Sequence, residues 1–326
     1  MTMALSKDTI AIIDAVASND LQRARLCAMA AVANDKAQSR EWWRRDVRAK
    51  LEAKPFELDD SVPHDLRGMI VVEDSSTFQV GRFTLDSTNS EVVYHVRRLR
   101  KACGSLLSMG IPYANATMLH GEPGVGKTML ARYIAYEQQL PFVYVSFARL
   151  VDSYMGATGR NIDSVFRFCE TFPCLLMLDE IDTISATRSS AQDGAAKELG
   201  RVTVTLMQCL DRLNPSMVLM AATNRIDIVD PALRRRFTRE FEVSRPKDFD
   251  EVHCIVENFL DDCGLCYDVG EMERIGSQWS GSCPTQDSIV KALIESIAEH
   301  ELRGLPREQE VDITFLVGMS GEAVGS

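Results

Sequence analysis

Between residues 116 and 243 the chain alternates between two hydrophobic patterns. Short, nearly unbroken apolar runs bounded by turn residues predict buried strands near 116–120, 141–147, 174–179, 217–223 and 239–243. Between them, apolar residues at spacings of three and four predict helices near 127–139, 159–170 and 195–213. Strand–helix alternation of this kind predicts an α/β fold, a parallel sheet sandwiched by helices. Ligands then sit beyond the carboxyl ends of the strands.

The flanking regions carry other patterns. Residues 1–54 read as a small all-helical domain, with a first helix over 7–17 and a break at Ser18-Asn19-Asp20. Asn19 and Gln22 have capping-box spacing and start a second helix. A third carries Trp43, Val47 and Leu51 on one face, beside a stripe of Arg40, Arg44 and Arg48 read as a solvated face. This domain is a candidate adaptor or recruitment module. Residues 55–94 form a linker, in which Met69–Val72 and Thr77–Val80 flank Glu73–Ser76 and predict a β-hairpin. A basic helix is expected over 87–109, ended by Gly110-Ile111-Pro112. The α/β domain spans 95–244 and a helical lid 245–300, with breaks at Cys263-Gly264 and Trp279–Ser282. In the tail, 301–326, the apolar stretch Val311–Val317 is expected to dock as a strand or short helix, and the last residues to be disordered.

Composition narrows the class. The net charge of −11 argues against a general nucleic-acid coat. No apolar run is long enough to span a bilayer, and the N-terminus lacks a signal-peptide pattern, so a cytoplasmic location without membrane contact is expected. Nine scattered cysteines fit reduced thiols. Cys263 and Cys266 form a single C-x-x-C with no second pair, which reads as ordinary helix-end cysteines rather than a metal site.

The chemistry is concentrated at Gly121-Glu122-Pro123-Gly124-Val125-Gly126-Lys127-Thr128, which fits G-x-x-x-x-G-K-[ST] between a predicted strand and a predicted helix. Glycines let successive backbone N–H groups turn toward one anion, and the helix N-terminus that follows, with Met129 in its first turn, adds partial positive charge. Lys127 is expected to reach the β- and γ-phosphates of ATP, and Thr128 to place its hydroxyl on Mg²⁺. About fifty residues on, the run Leu175–Leu178 ends in Asp179 and Glu180. Asp179 is expected to hold the Mg²⁺ and its waters, and Glu180 to orient and deprotonate an attacking water. A further buried strand ends at Asn224, placed to bond the water or γ-phosphate. Beyond it, Arg234, Arg235, Arg236 and Arg239 crowd into six residues. Such a cluster suits charge developing on a transferring phosphoryl group, here of a neighbouring subunit.

In the order and spacing of these motifs, residues 95–300 resemble the AAA+ ATPases, specifically the AAA subgroup. The resemblance implies that Asn224 is the sensor-1 residue and that Arg236 and Arg239 are the arginine fingers. It further implies that Tyr154, Met155 and Gly156, within Leu150–Gly156, form a pore loop, with a second at 186–196. Where that family often has Gly and Asp in the arginine turn, this chain has Arg235 and Thr238. The resemblance places Ser280–Pro284 where the lid approaches the nucleotide, without the arginine that some branches carry.

These features imply an ATP phosphohydrolase working as a homo-oligomeric ring, a hexamer by the same resemblance. It is expected to thread protein substrates past Tyr154, and a separate effector such as a protease would be needed to destroy them. A nucleic-acid motor or loader is the first alternative, a regulatory ATPase acting on an effector another, and a non-hydrolysing scaffold the least compatible with the filled catalytic positions.

Overall fold

The computed structural model describes residues 7–17, 28, 31–32, 62–63, 65–111, 113–147, 150, 158–184 and 194–319. The chain divides into two compact units, Met1–Pro63 and His64–Ser326. In the first, α1 (Lys7–Ala17) is the helix expected there. The second and third helices expected before residue 54 lie outside the described residues.

The second unit is built on a six-stranded sheet. In chain order its elements are β1 (Ile70–Glu73), α2 (Ser87–Ser108), β2 (Asn115–His120), α3 (Lys127–Glu137), β3 (Phe142–Ser146), α4 (Thr158–Cys169), β4 (Leu175–Asp179), α5 (Gly194–Asp211), β5 (Val218–Thr223), α6 (Pro231–Arg234) and β6 (Arg239–Glu242). The strands lie in the order β1-β3-β4-β5-β2-β6. All pairs are parallel except β1 with β3. The α/β sandwich read from the hydrophobic pattern is therefore the fold observed.

The period-2 alternation of side chains in a strand explains the two-sided burial. Leu175 and Met177 of β4, with Val218, Met220 and Ala222 of β5, share one cluster with Val92, Val93 and Val96 of α2 and Leu130, Ala131 and Ile134 of α3. The intervening Leu176, Leu178, Leu219 and Ala221 are equally buried, as are Ile162 and Val165 of α4 and Val202 and Leu206 of α5.

The hairpin expected within 69–80 does not form. β1 pairs instead with β3, Ile70 opposite Val145 and Glu73 opposite Phe142. Asp74 accepts a hydrogen bond from the Ser76 N–H at 2.9 Å and starts a 3₁₀ turn over Ser75–Thr77. That local bond turns the chain out of the sheet before Thr77 could return as a strand. Phe78 and Phe83 then pack on Tyr133 of α3, with ring centroids 6.1 and 4.6 Å apart.

The lid follows as α7 (Phe249–Cys263), α8 (Val269–Gln278) and α9 (Gln286–Leu302). Each has a side-chain N-cap: Asp248 accepts from Glu251 N, Asp268 from Glu271 N and Thr285 from Ser288 N. Cys263 is the last residue of α7, and Gly264 ends that helix in the left-handed conformation, φ 66°. The apolar tail docks here: Val311, Ile313 and Leu316 are buried in the lid cluster, and α10 (Phe315–Met319) is a short helix. The 74–84 segment ties lid to sheet domain. Arg82 pairs with Asp262 at 2.7 Å and lies over the Phe259 ring, and Asn258 donates to Thr84 Oγ1 at 3.0 Å.

One buried group gives the fold a pH dependence. His95 of α2 is 5% exposed and neither ring nitrogen has a hydrogen-bond partner. It packs edge-on against Phe241 of β6. Burial, helped by the nearby Arg239 and Arg98 and opposed by Glu91, pushes its pKa down. Below the ordinary histidine pKa of about 6.5 the unfolded chain takes up a proton that the native state resists. Stability is therefore full above that pH and declines as pH falls through the window below it. Denaturant unfolding between pH 7.5 and 5 should show this decline, and His95→Phe should reduce its slope. An unchanged slope would show that other groups set it.

Candidate functional site

The register of the sheet brings the candidate residues together. His120 of β2 is opposite Thr223 of β5, Leu178 of β4 opposite Ala221, and Ser146 of β3 opposite Asp179. The carboxyl ends of β2, β5, β4 and β3 are thus side by side. From β2 the chain enters the phosphate loop, whose glycines Gly121, Gly124 and Gly126 have φ of 150°, 80° and 91°. Glu122 is turned outward and pairs with Arg245 at 2.8 Å. Val125 is buried among the core side chains and anchors the loop from beneath. Pro123, Gly124, Gly126 and Met129 line a cavity of about 850 Å³ together with Lys127, Thr128, Asp179, Glu180 and Asn224.

The polar contacts inside are specific. Lys127 Nζ donates to the carbonyls of Gly121 and Glu122 and to Asn224 Oδ1, each at 2.8 Å. Burial pushes its pKa down, and the carboxylates of Asp179, Asp182 and Glu122 partly offset this. Thr128 Oγ1 donates to Asp179 Oδ2 at 2.9 Å, and the Glu180 N–H donates to Asp179 Oδ1 at 2.9 Å. Ser146 Oγ donates to Glu180 Oε2 at 2.9 Å. Glu180 itself has φ 60°, a left-handed backbone that costs about 1–3 kcal/mol for a residue with a side chain. Thr223 Oγ1 bonds Asp182 Oδ1 at 2.9 Å and accepts from the Arg225 N–H, which fixes the turn after Asn224.

The donor set fits a small hard cation. A hydroxyl and a carboxylate converge from Thr128 and Asp179, both oxygen ligands of the kind Mg²⁺ prefers when phosphates and waters complete its shell. Among the described residues no group of three or more His, Cys, Asp or Glu could hold a metal by itself. Cys263 and Cys266 are both free thiols.

Several site residues escaped the sequence reading. Tyr144 of β3 donates to Asp179 Oδ2 at 3.3 Å, and burial with the neighbouring Asp179 pushes its phenol up to about 12, so it stays a donor. Ser146 was invisible because only the β3–β4 register puts it opposite Asp179. Arg132 of α3 forms a two-pronged pair with Glu73 at 2.8 and 2.9 Å on the cavity wall. An apolar end is made by Phe78, Phe83, Ile255, Phe259, Val290 and Ile294, from the strap and the lid. The lid residues at the phosphate loop are also not those expected. Gln286 and Asp287 of α9 line the cavity, whereas Ser280–Pro284 do not. Residues 280–284 precede the helix, and Thr285 caps it so that its first turn meets the loop.

Arg236 and Arg239 do not line this cavity. Arg236 pairs with Asp211 at 2.9 Å and donates to the Ala232 carbonyl, while Arg239 pairs with Glu91 at 2.6 Å and covers the Phe241 ring. Arg235 is exposed and forms no ion pair among the described residues. Tyr154, Met155, Gly156 and residues 185–193 lie outside the described residues.

The glycine that opens the loop has no room for a side chain. At position 121 a Cβ would overlap the Val243 carbonyl oxygen, on top of the φ of 150°. Gly104, exposed in α2, has nothing within 4 Å of its Cβ position. Gly121→Ala should therefore destabilise by about 1–3 kcal/mol, the usual range for overpacking. Gly104→Ala should stabilise by up to about 1 kcal/mol, the helix-propensity difference. Denaturant midpoints decide both; equal effects at the two positions would contradict the local geometry.

The family described as "ATPase family associated with various cellular activities (AAA)" matches residues 117–245. An uncharacterized AAA family ATPase of Sinorhizobium fredii is 31% identical over 212 residues, 62% of this chain and 63% of that protein. A proteasome-activating nucleotidase of Methanococcus maripaludis is 36% identical over 145 residues, 43% of this chain and 36% of that protein. A 26S proteasome regulatory subunit 8 homolog of Saccharomyces cerevisiae is 38% identical over 144 residues, again 43% and 36%. The matches thus span less than two thirds of each relative's length.

Proposed function

We propose, starting from a chain whose residues 117–245 form an AAA-family ATPase domain, that the protein hydrolyses ATP and uses the cycle to remodel protein substrates. The observation that carries the hydrolytic part is the convergence of Lys127, Asn224, Thr128, Asp179 and Glu180 on one cavity at the carboxyl ends of three adjacent parallel strands. The phosphate chain lies along Gly124–Thr128, and the base takes the apolar end between Phe83 and Phe259. Thr128 and Asp179 would hold Mg²⁺, which would supply neutralisation of phosphate charge. Lys127 turns from the loop carbonyls to the terminal phosphates. Asn224 and Glu180 orient the attacking water, and Glu180 takes its proton. Ser146 sets where the Glu180 carboxylate stands.

The remodelling part rests on similarity to relatives named as proteasome regulators and on the pore-loop pattern around Tyr154. In this reading the subunits form a homo-oligomeric ring, a hexamer, and a separate effector such as a protease completes any degradation. Arg236 and Arg239 lie away from their own chain's cavity, which favours action on a neighbour's nucleotide. Assembly would exchange the Arg236–Asp211 pair for that contact. Tyr154 and Met155 would grip a polypeptide in the ring.

Glu180→Gln should leave ATP binding intact and lower turnover about 10²- to 10⁴-fold, the usual effect of losing a general base. Nucleotide titration and phosphate release measure the two separately; wild-type turnover would remove Glu180 from the mechanism. Arg236→Ala should bind ATP and lose about 10³- to 10⁵-fold in turnover if it acts as an arginine finger. Mixing Arg236→Ala with Lys127→Ala subunits should restore part of the activity, because each supplies what the other lacks. Full activity of a monomer would contradict the ring.

A further inference from the structure

One face of β3 supplies a hydroxyl to each of the two carboxylates at the site. Phe142, Tyr144 and Ser146 alternate along the strand and so share that face. Ser146 Oγ donates to Glu180 Oε2 at 2.9 Å, and Tyr144 Oη donates to Asp179 Oδ2 at 3.3 Å. Tyr144 does not line the cavity, so whatever it does there it does through Asp179. Its ring is held by packing on several sides. In register it lies between Val71 of β1 and Met177 of β4. It packs on the core cluster of the sheet and stacks on Phe142, with centroids 6.4 Å apart and planes inclined by 27°. The Arg132 guanidinium covers Phe142 at 5.2 Å, and its two-pronged pair with Glu73 fixes it there. The direction of the phenol is therefore set by β1, α3 and β3, independently of the carboxylate it meets.

We propose that Tyr144 is a positioning residue for the metal-holding carboxylate, and that its hydroxyl sets how much Mg²⁺ the protein needs to bind ATP tightly. The inference rests on the reading of Thr128 and Asp179 as the pair that holds Mg²⁺. The last torsion of an aspartate is soft, so the carboxylate turns unless its oxygens are held. Asp179 has three donors in the structure: the Glu180 N–H on Oδ1, and Thr128 Oγ1 and Tyr144 Oη on Oδ2. The first belongs to the next residue in the chain and moves with Asp179. The second is a hydroxyl whose oxygen also serves the ion. Tyr144 is thus the donor to Oδ2 that stands apart from both the metal and the phosphate loop. It keeps the carboxylate in one orientation whether or not the ion is bound. Partners that orient a metal-ligating side chain in this way typically change metal affinity about 10- to 100-fold.

The test compares Tyr144→Phe with the wild type, which removes the hydroxyl and keeps the ring. ATP is titrated in chelator and at a series of Mg²⁺ concentrations, and thermal unfolding is followed without nucleotide. Tyr144→Phe should match the wild type in chelator and unfold close to the wild-type temperature. It should need about tenfold more Mg²⁺, or beyond, to reach the same ATP affinity. Its turnover should fall at low Mg²⁺ and recover as Mg²⁺ is raised. A wild-type Mg²⁺ requirement would overturn the proposal and leave the ATP-binding reading intact; joined to a marked loss of stability, it would mark Tyr144 as a packing residue. Equal weakening of ATP with and without Mg²⁺ would also overturn it. If Mg²⁺ adds nothing to the ATP affinity of the wild type, the reading of Thr128 and Asp179 falls and takes this proposal with it.

Discussion

The structure turns on one ammonium group. Lys127 Nζ is held by two loop carbonyls and Asn224 Oδ1, all neutral acceptors, in a site whose burial lowers its pKa. Three neutral oxygens satisfy three N–H donors but do not neutralise a charge, and the nearby carboxylates of Asp179, Asp182 and Glu122 offset the cost of its burial only in part. An anion brought to the loop relieves that cost, which is why the same geometry that holds Lys127 also attracts phosphate. The rest of the sheet domain serves to keep this cation in place. Parallel strands β2 and β5 must be neighbours for Asn224 to reach it, and β4 must follow β5 for Asp179 and Glu180 to face it.

Around that cation the second requirement is separation of roles between two adjacent carboxylates. Asp179 receives Thr128 Oγ1, Tyr144 OH and the Glu180 N–H, and so is held against Thr128 at the phosphate loop. Glu180 leaves the strand with a left-handed backbone and is met by Ser146 on the next strand. Consecutive residues on a regular strand would point to opposite faces. The turn at Glu180 lets both serve one cavity, and the cost of that backbone is met by the buried strand beneath it.

Much of this was legible in the sequence because its signals were local. The buried runs at 175–179 and 218–223 and the glycine pattern of 121–128 each identify an element without reference to any other. What escaped depended on contacts between distant segments. Glu73–Ser76 looks like a hairpin turn, but the capping of Ser76 by Asp74 and the pairing of Ile70 with Val145 send the chain elsewhere. Tyr144 and Ser146 acquire meaning only from the β3–β4 register. Ser280–Pro284 resembled the lid's approach to the nucleotide, yet the N-cap at Thr285 sets where α9 begins, and with it that Gln286 and Asp287 meet the loop.

The central claim is that Lys127, Asn224, Thr128 and Asp179 together hold the phosphates and metal of ATP. An experimentally determined structure of Glu180→Gln with ATP and Mg²⁺ tests it most directly. The triphosphate should lie along Gly124–Thr128, with Lys127 Nζ turned from the loop carbonyls to the phosphates and the metal beside Thr128 and Asp179. Nucleotide bound elsewhere, or bound in the cavity with Lys127 still on the carbonyls of Gly121 and Glu122, would contradict it.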